Sequence, residues 1–175
     1  EQNGMLCWDF DYLLGEVKKA ISLAENADSL AFDTWGVDYG MLDKDGNLVS
    51  KPVCYRDDRT KGMPDKTYQS VSPSKLYAKT GNQIMPINTL FQLTADRTDN
   101  AEMFLFMPDL FAYSLCGAKS VDKTIASTSQ MLDLENVEWQ KDIFALSGKN
   151  EKILPPIVDC ATVVGEYNGI KVIKV

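Results

Sequence analysis

An α/β domain is what this sequence predicts, on three observations. Residues 9 to 25, DFDYLLGEVKKAISLAE, carry a helical apolar stripe, and the apolar run SLAFD at 29 to 33 follows directly. Further helical segments that stop at glycine fill the middle of the chain. The end, GIKVIKV, alternates as a strand does. A helix that hands over to a buried strand is half of an α/β unit, because each covers the apolar face of the other.

In the first helix Phe10, Leu13, Leu14, Val17, Ile21 and Ala24 fall on one stripe. Asp9 and Asp11 stand at its start, where free backbone N–H groups and the helix dipole favour negative charge. SLAFD is then expected as a buried strand. VDYGMLDKDGNLVSKPVCY reads as a β-hairpin, with Asp45-Gly46-Asn47 supplying residues that tolerate positive φ. Asp43-Lys44-Asp45-Gly46 does not make a calcium loop, since the glycine comes too early and Cys54 stands where a bidentate glutamate is needed. Tyr68 to Lys79 predicts a helix containing Pro73 and closed by a left-handed Gly81. INTLFQLTADR predicts another, starting near Asn88. MPDLFAYSLCG has Pro108 in its first turn, Asp109 beside it and Gly117 as terminator. ENVEWQKDIFALSG repeats that scheme up to Gly148, and ILPPI turns the chain back towards the sheet.

The 175 residues, 45% hydrophobic and 25% charged, suffice for one domain with a sizeable core. With 18 basic and 25 acidic residues the net charge is -7, which disfavours nucleic acid and anionic membrane as partners. The one basic doublet, Lys18-Lys19, fits an exposed helix face, and a neutral polar ligand suits the charge balance. There is no apolar run of bilayer length and no amino-terminal signal pattern. The absence of histidine excludes Ser-His-Asp and Cys-His catalysis within these residues. Cys7, Cys54, Cys116 and Cys160 lack zinc or redox spacing, so reduced, mostly buried thiols of a cytosolic protein are expected. Acid–base work falls to carboxylates. The chain opens at Glu1 inside what already reads as a folded segment and closes in a strand with no turn signal; an excised piece of a longer protein is expected.

Two stretches could carry a site. Asp33-Thr34-Trp35-Gly36-Val37-Asp38 lies beyond a strand end, where open α/β sheets bind ligands. Gly36 would let backbone approach a ligand. Trp35 offers a flat face for the C–H side of a sugar and an N–H at its rim. Asp33 and Asp38 offer acceptors for hydroxyls. The same residues also suit a tight turn around a half-buried tryptophan. In Tyr55-Arg56-Asp57-Asp58-Arg59-Thr60, an extended backbone would pair Arg56 with Asp58 and Asp57 with Arg59. Carboxylates clamped in this way could receive hydroxyl hydrogen bonds, or they could form a self-neutralising surface cluster. Asn88 could cap a helix or touch ligand. No Walker-type loop and no G-x-G-x-x-G occurs, so no nucleotide site is visible here.

Taken in order, FDTWGVDYGMLDKDGNLV, YRDDRT, TGNQIMPINTLFQL, MPDLFAYSLCG and VDKTIASTSQMLDLENVEW closely resemble the amino-terminal domain of the FGGY carbohydrate kinases. NGMLCWDFDYL is similar to it too, so the resemblance covers essentially the whole chain. It implies an actin-like, ribonuclease-H-like α/β domain, one of two flanking a deep cleft. It implies transfer of the γ-phosphoryl group of ATP, with Mg2+, to a sugar hydroxyl, and the Asp-Thr-Trp-Gly-Val-Asp run implies the 1-hydroxyl of L-rhamnulose. The family pattern places substrate contacts at Trp35 and Gly36. Its W-x-D-x-R strand maps onto Tyr55, Asp57 and Arg59, with tyrosine in place of the usual tryptophan. Pro86 to Asn88 corresponds to another pocket wall. The resemblance also implies that an early Asp-x-Gly phosphate turn precedes Glu1 and that the catalytic aspartate follows Val175. The chain alone is therefore expected to hold part of a sugar pocket, no ATP or Mg2+ site, and no kinase activity.

Overall fold

The computed structural model describes residues 1–133 and 135–175. Helix α1 (Phe10–Leu23) forms where the stripe predicts it, but only Phe10 is buried. Leu13, Leu14 and Val17 lie half-buried against the core, and Lys18 and Lys19 face solvent. Strand β1 (Ser29–Ala31) is shorter than SLAFD and is not buried: it runs exposed, half-buried, exposed. Among the described residues it has one neighbour, a parallel strand that sets Leu30 opposite Val172, and it turns only Leu30 inward.

Strand β2 (Tyr39–Leu42) is buried throughout and pairs antiparallel with β3 (Met103–Phe106), not with the far arm of the predicted hairpin. The turn itself forms. Asp43 Oδ1 accepts the backbone N–H of Asp45 and of Asn47, both at 2.9 Å. Beyond it, Leu48 faces Leu42 and the Val49 N–H donates to Met41 O, after which the ladder ends. Pro52 has no N–H to offer, and Val53 bridges Cys7 instead.

Tyr68 to Lys79 divides into α2 (Met63–Tyr68) and α3 (Pro73–Thr80). Pro73 has no N–H and opens a helix here instead of lying within a longer one. The Ser72 hydroxyl caps α3 by accepting the Lys75 N–H at 3.3 Å, and Gly81 closes it at φ 66°. Replacing Ser72 with alanine should cost about 1 kcal/mol in urea unfolding. An unchanged midpoint would mean that this cap contributes nothing.

Next come α4 (Thr89–Ala95), then β3, then α5 (Met107–Cys116), which has Pro108 in its first turn and stops at Gly117 with φ 75° as expected. Strand β4 (Val121–Asp122) leads into α6 (Lys123–Ser127). ENVEWQKDIFALSG is only half helical. Its first part forms β6 (Glu138–Trp139), antiparallel to β5 (Leu132–Asp133), before α7 (Lys141–Phe144) and a 3-10 turn that ends at Gly148. ILPPI does return the chain to a strand, β7 (Ile157–Val158), which lies parallel to β4. Strands β8 (Val163–Tyr167) and β9 (Ile170–Ile173) form a hairpin across Asn168-Gly169, both at positive φ, and β9 is the parallel neighbour of β1.

The main core centres on Phe104, Leu105 and Phe106 of β3, Leu90, Phe91 and Leu93 of α4, and Leu110 of α5. Only one of the four thiols, Cys54, is buried; Cys7 and Cys116 are half-buried and Cys160 is exposed, so the expectation of mostly buried cysteines is corrected. Among the described residues no helix is long and apolar enough to cross a membrane.

Candidate functional site

The corner between β1 and β2 is built around Asp38, which is 0% exposed. Its Oδ2 accepts the indole N–H of Trp8 at 2.7 Å, the indole N–H of Trp35 at 3.0 Å and the Tyr55 backbone N–H at 3.1 Å. Its Oδ1 accepts Gln92 Nε2 at 2.9 Å. Four N–H donors on one buried carboxylate satisfy it within the protein. Trp8 and Trp35 pack with ring centroids 4.2 Å apart, so the Trp35 N–H and part of its ring are committed inward. Asp33 is exposed.

Between Trp35 and Asp38 the backbone is strained. Val37 has φ 69°, and the Asp38 N–H donates to Gly36 O at 2.9 Å, closing a three-residue turn of the rare hand. A β-branched residue is costly there. Surrounding bonds hold it: the Val37 N–H donates to Thr128 Oγ1 at 3.2 Å, and Val37 O accepts the Thr89 hydroxyl at 2.8 Å and Gln92 Nε2 at 3.3 Å.

The segment from 55 to 60 is not extended. Asp58–Thr60 is a 3-10 turn capped by Asp57, whose Oδ1 accepts the Arg59 N–H at 2.9 Å while Oδ2 accepts the Leu6 N–H at 2.7 Å. The clamps expected from alternation therefore do not form, because a cap on the local backbone changes which side chains face each other. Asp58 pairs with Lys61 at 2.7 Å in solvent. Arg56 Nε donates to the Tyr55 hydroxyl at 3.3 Å. Arg59 turns inward to Gln92 Oε1 at 2.7 Å, lies 3.7 Å from Asp96 and sits over the Tyr39 ring at 5.8 Å. Burial, and then the Asp96 charge, hold the Tyr39 hydroxyl well above its ordinary pKa.

Asn88, 4% exposed, precedes α4 without capping it. Its Nδ2 donates to Gln83 O and to Gln130 Oε1, both at 2.9 Å. Among the described residues no donor reaches its Oδ1.

Trp35, Gly36, Tyr55 and Asn88 line one open hollow of about 450 Å³, joined by Val37, Gln83, Met85, Ile87 and Thr128. Four of the seven predicted site residues thus converge. The other three do not line it: Asp38 lies buried behind the wall and holds the Tyr55 N–H, Asp57 caps the Asp58–Thr60 turn and holds the Leu6 N–H, and Arg59 braces Gln92, which in turn holds Asp38. Sequence reasoning did not single out Trp8 or Gln92, and in STSQ at 127 to 130 it saw hydroxyls with nothing to mark a role for Thr128. Trp8 and Gln92 stand 30 and 54 positions from Asp38, beyond any local pattern. A larger hollow of about 650 Å³ beside Trp139, Leu154 and Pro155 contains none of the predicted residues. Among the described residues no three of His, Cys, Asp and Glu gather, so these side chains offer no all-protein cage for a metal ion.

Solved structures share this architecture. Gluconate kinase and a ligand-bound xylulose kinase, both from Lactobacillus acidophilus, superpose with TM-score 0.85 at 15% identity, over 98% of this chain and 39% and 40% of theirs. The fold is that of an actin-like sugar-kinase domain. A model of the N-terminal domain of the FGGY family of carbohydrate kinases matches residues 4–172. Rhamnulokinase from Enterococcus faecalis is 32% identical over 173 residues, which is 95% of this chain and 35% of that protein. The chain belongs to the FGGY family of carbohydrate kinases and spans about a third of the length of this relative.

Proposed function

We propose that this chain is the sugar-side part of a longer cytoplasmic kinase that transfers the γ-phosphoryl group of ATP to the 1-hydroxyl of L-rhamnulose. The observation that carries the reading is the hollow in which Trp35, Gly36, Tyr55 and Asn88 meet. Trp35 and Tyr55 offer flat faces to the C–H side of the ketose. Asn88 Oδ1 accepts a hydroxyl, and Gly36 keeps the wall free of a side chain. Asp38, Asp57 and Arg59 act from behind, fixing the two aromatic residues and the turn between them. The likeness to a protein named rhamnulokinase favours L-rhamnulose over L-fuculose or xylulose. ATP supplies the phosphoryl group and Mg2+ its charge neutralisation, at residues outside this chain.

The test is ATP-dependent phosphorylation by the full-length protein, across L-rhamnulose, L-fuculose, xylulose, gluconate and glycerol. The highest kcat/KM is expected with L-rhamnulose, and residues 1–175 alone should transfer no phosphate. Preference for another sugar would overturn the substrate. Sugar binding without transfer would point to a sugar-sensing domain instead.

A further inference from the structure

Thr128 touches the strained turn from the far side of the chain. Its hydroxyl has two duties: it accepts the Val37 N–H at 3.2 Å and donates to Ile125 O at 2.8 Å, at the end of α6. Its bulk fills the space beside Gly36. A Cβ built on Gly36 would lie 3.0 Å from both Thr128 Cγ2 and Thr128 Oγ1 and 3.1 Å from its Cβ. These are closer than ordinary van der Waals contacts, so either the turn or the threonine must give way. The φ of Gly36 is not in the left-handed region, so it is packing against Thr128 that demands glycine here. Both residues line the 450 Å³ hollow.

We infer that Thr128 is a positioning residue of the sugar wall. Its hydroxyl anchors Val37 in the strained turn, and its methyl sets how far the Gly36 backbone stands from a bound ketose. This rests on the sugar-pocket reading above. The turn has few ways to relax without Thr128: Val37 would lose the acceptor for its N–H, and a β-branched residue at positive φ drifts towards an extended backbone once unanchored. Replacing threonine by isosteric valine removes the acceptor and keeps the volume. Serine keeps the acceptor and removes the methyl.

Two measurements test this, and they fail separately. In the 175-residue chain, hydrogen exchange of the Val37 amide should quicken about tenfold in Thr128→Val and return towards the original rate in Thr128→Ser. In the full-length protein, Thr128→Val should raise the KM for L-rhamnulose about fivefold to tenfold while the KM for ATP stays in place, with Thr128→Ser recovering most of the loss. Gly36→Ala should raise the sugar KM as well, and adding Thr128→Ser should relieve part of that increase, since one of the three close contacts disappears. Should the valine variant not fold, the glycine–serine pair still reads the coupling. An unchanged Val37 exchange rate together with additive effects of Gly36→Ala and Thr128→Ser would overturn the proposal. A protein that phosphorylates no sugar, yet shows the exchange pattern, would overturn the kinase reading and leave the role of Thr128 in the turn standing.

Discussion

Replacing Asp38 with alanine should destabilise the fold by about 4 kcal/mol or more, because each buried donor left without an acceptor costs about 1–3 kcal/mol. Four donors depend on this carboxylate: two indoles, one backbone N–H and the Gln92 amide. Relaxation and water entry keep the sum below four separate penalties. A typical domain has about 5–15 kcal/mol of stability in all, so the alanine variant stands near the edge of folding. Asp38→Asn keeps the volume but turns an amide NH2 towards one of the donors, and about 2–3 kcal/mol is expected. Urea unfolding followed by tryptophan fluorescence reads both, since Trp8 and Trp35 report from the site itself. A loss below about 1 kcal/mol in both variants would mean that Asp38 does not hold the corner.

The second large effect lies at a buried ion pair beside the end of β9. Lys174, 4% exposed, forms an ion pair with Asp109, 1% exposed, and donates to Ser120 O at 2.8 Å. Asp122 lies beside them, and one oxygen each of Asp109 and Asp122 has no hydrogen-bond partner among the described residues. Burial, opposed by Lys174 and reinforced by Asp122, pushes the Asp109 carboxyl up to about 6. Lys174→Met removes the only cation bonded to Asp109 among the described residues and should cost about 3–5 kcal/mol at pH 8. The penalty should shrink towards pH 5, where Asp109 takes a proton.

The same group gives the original chain a pH dependence. An acid whose pKa is higher in the fold than in the unfolded chain holds its proton more tightly when folded. Its favourable contribution is complete below about pH 4 and is lost as the pH rises through about 6, a fall of about 3 kcal/mol. Urea midpoints between pH 4 and pH 8 should therefore fall with pH relative to Asp109→Asn, which lacks the group. Parallel curves would show that Asp109 titrates alike in both states.

Where the signals were local, the sequence was readable. Pro108, the apolar stripe and Gly117 define α5 because a helix start and stop are decided within a few residues. The Asp43–Asn47 turn was visible for the same reason. MFLF, which became β3, has no alternation to read because three of its four residues are buried, and its pairing with β2 crosses some sixty positions. Asn168-Gly169 was a fair hairpin signal that went unused. At the site, the four residues lining the hollow stand on the quoted motifs. Their supports, Trp8, Gln92 and Thr128, lie within quoted motifs too, but they act across the fold, where no local pattern shows their roles. The reading of YRDDRT failed because an aspartate that caps a turn cannot also clamp an arginine two residues on.

The central claim is that the hollow at Trp35, Gly36, Tyr55 and Asn88 receives a ketose. Titrating L-rhamnulose into the isotope-labelled chain and following its amide resonances tests it most directly. The Gly36 backbone amide and the Asn88 side-chain amide should shift together with sugar concentration, while Trp139, at the larger hollow, stays still. Shifts confined to Trp139 and its neighbours, with Gly36 and Asn88 unmoved, would contradict it.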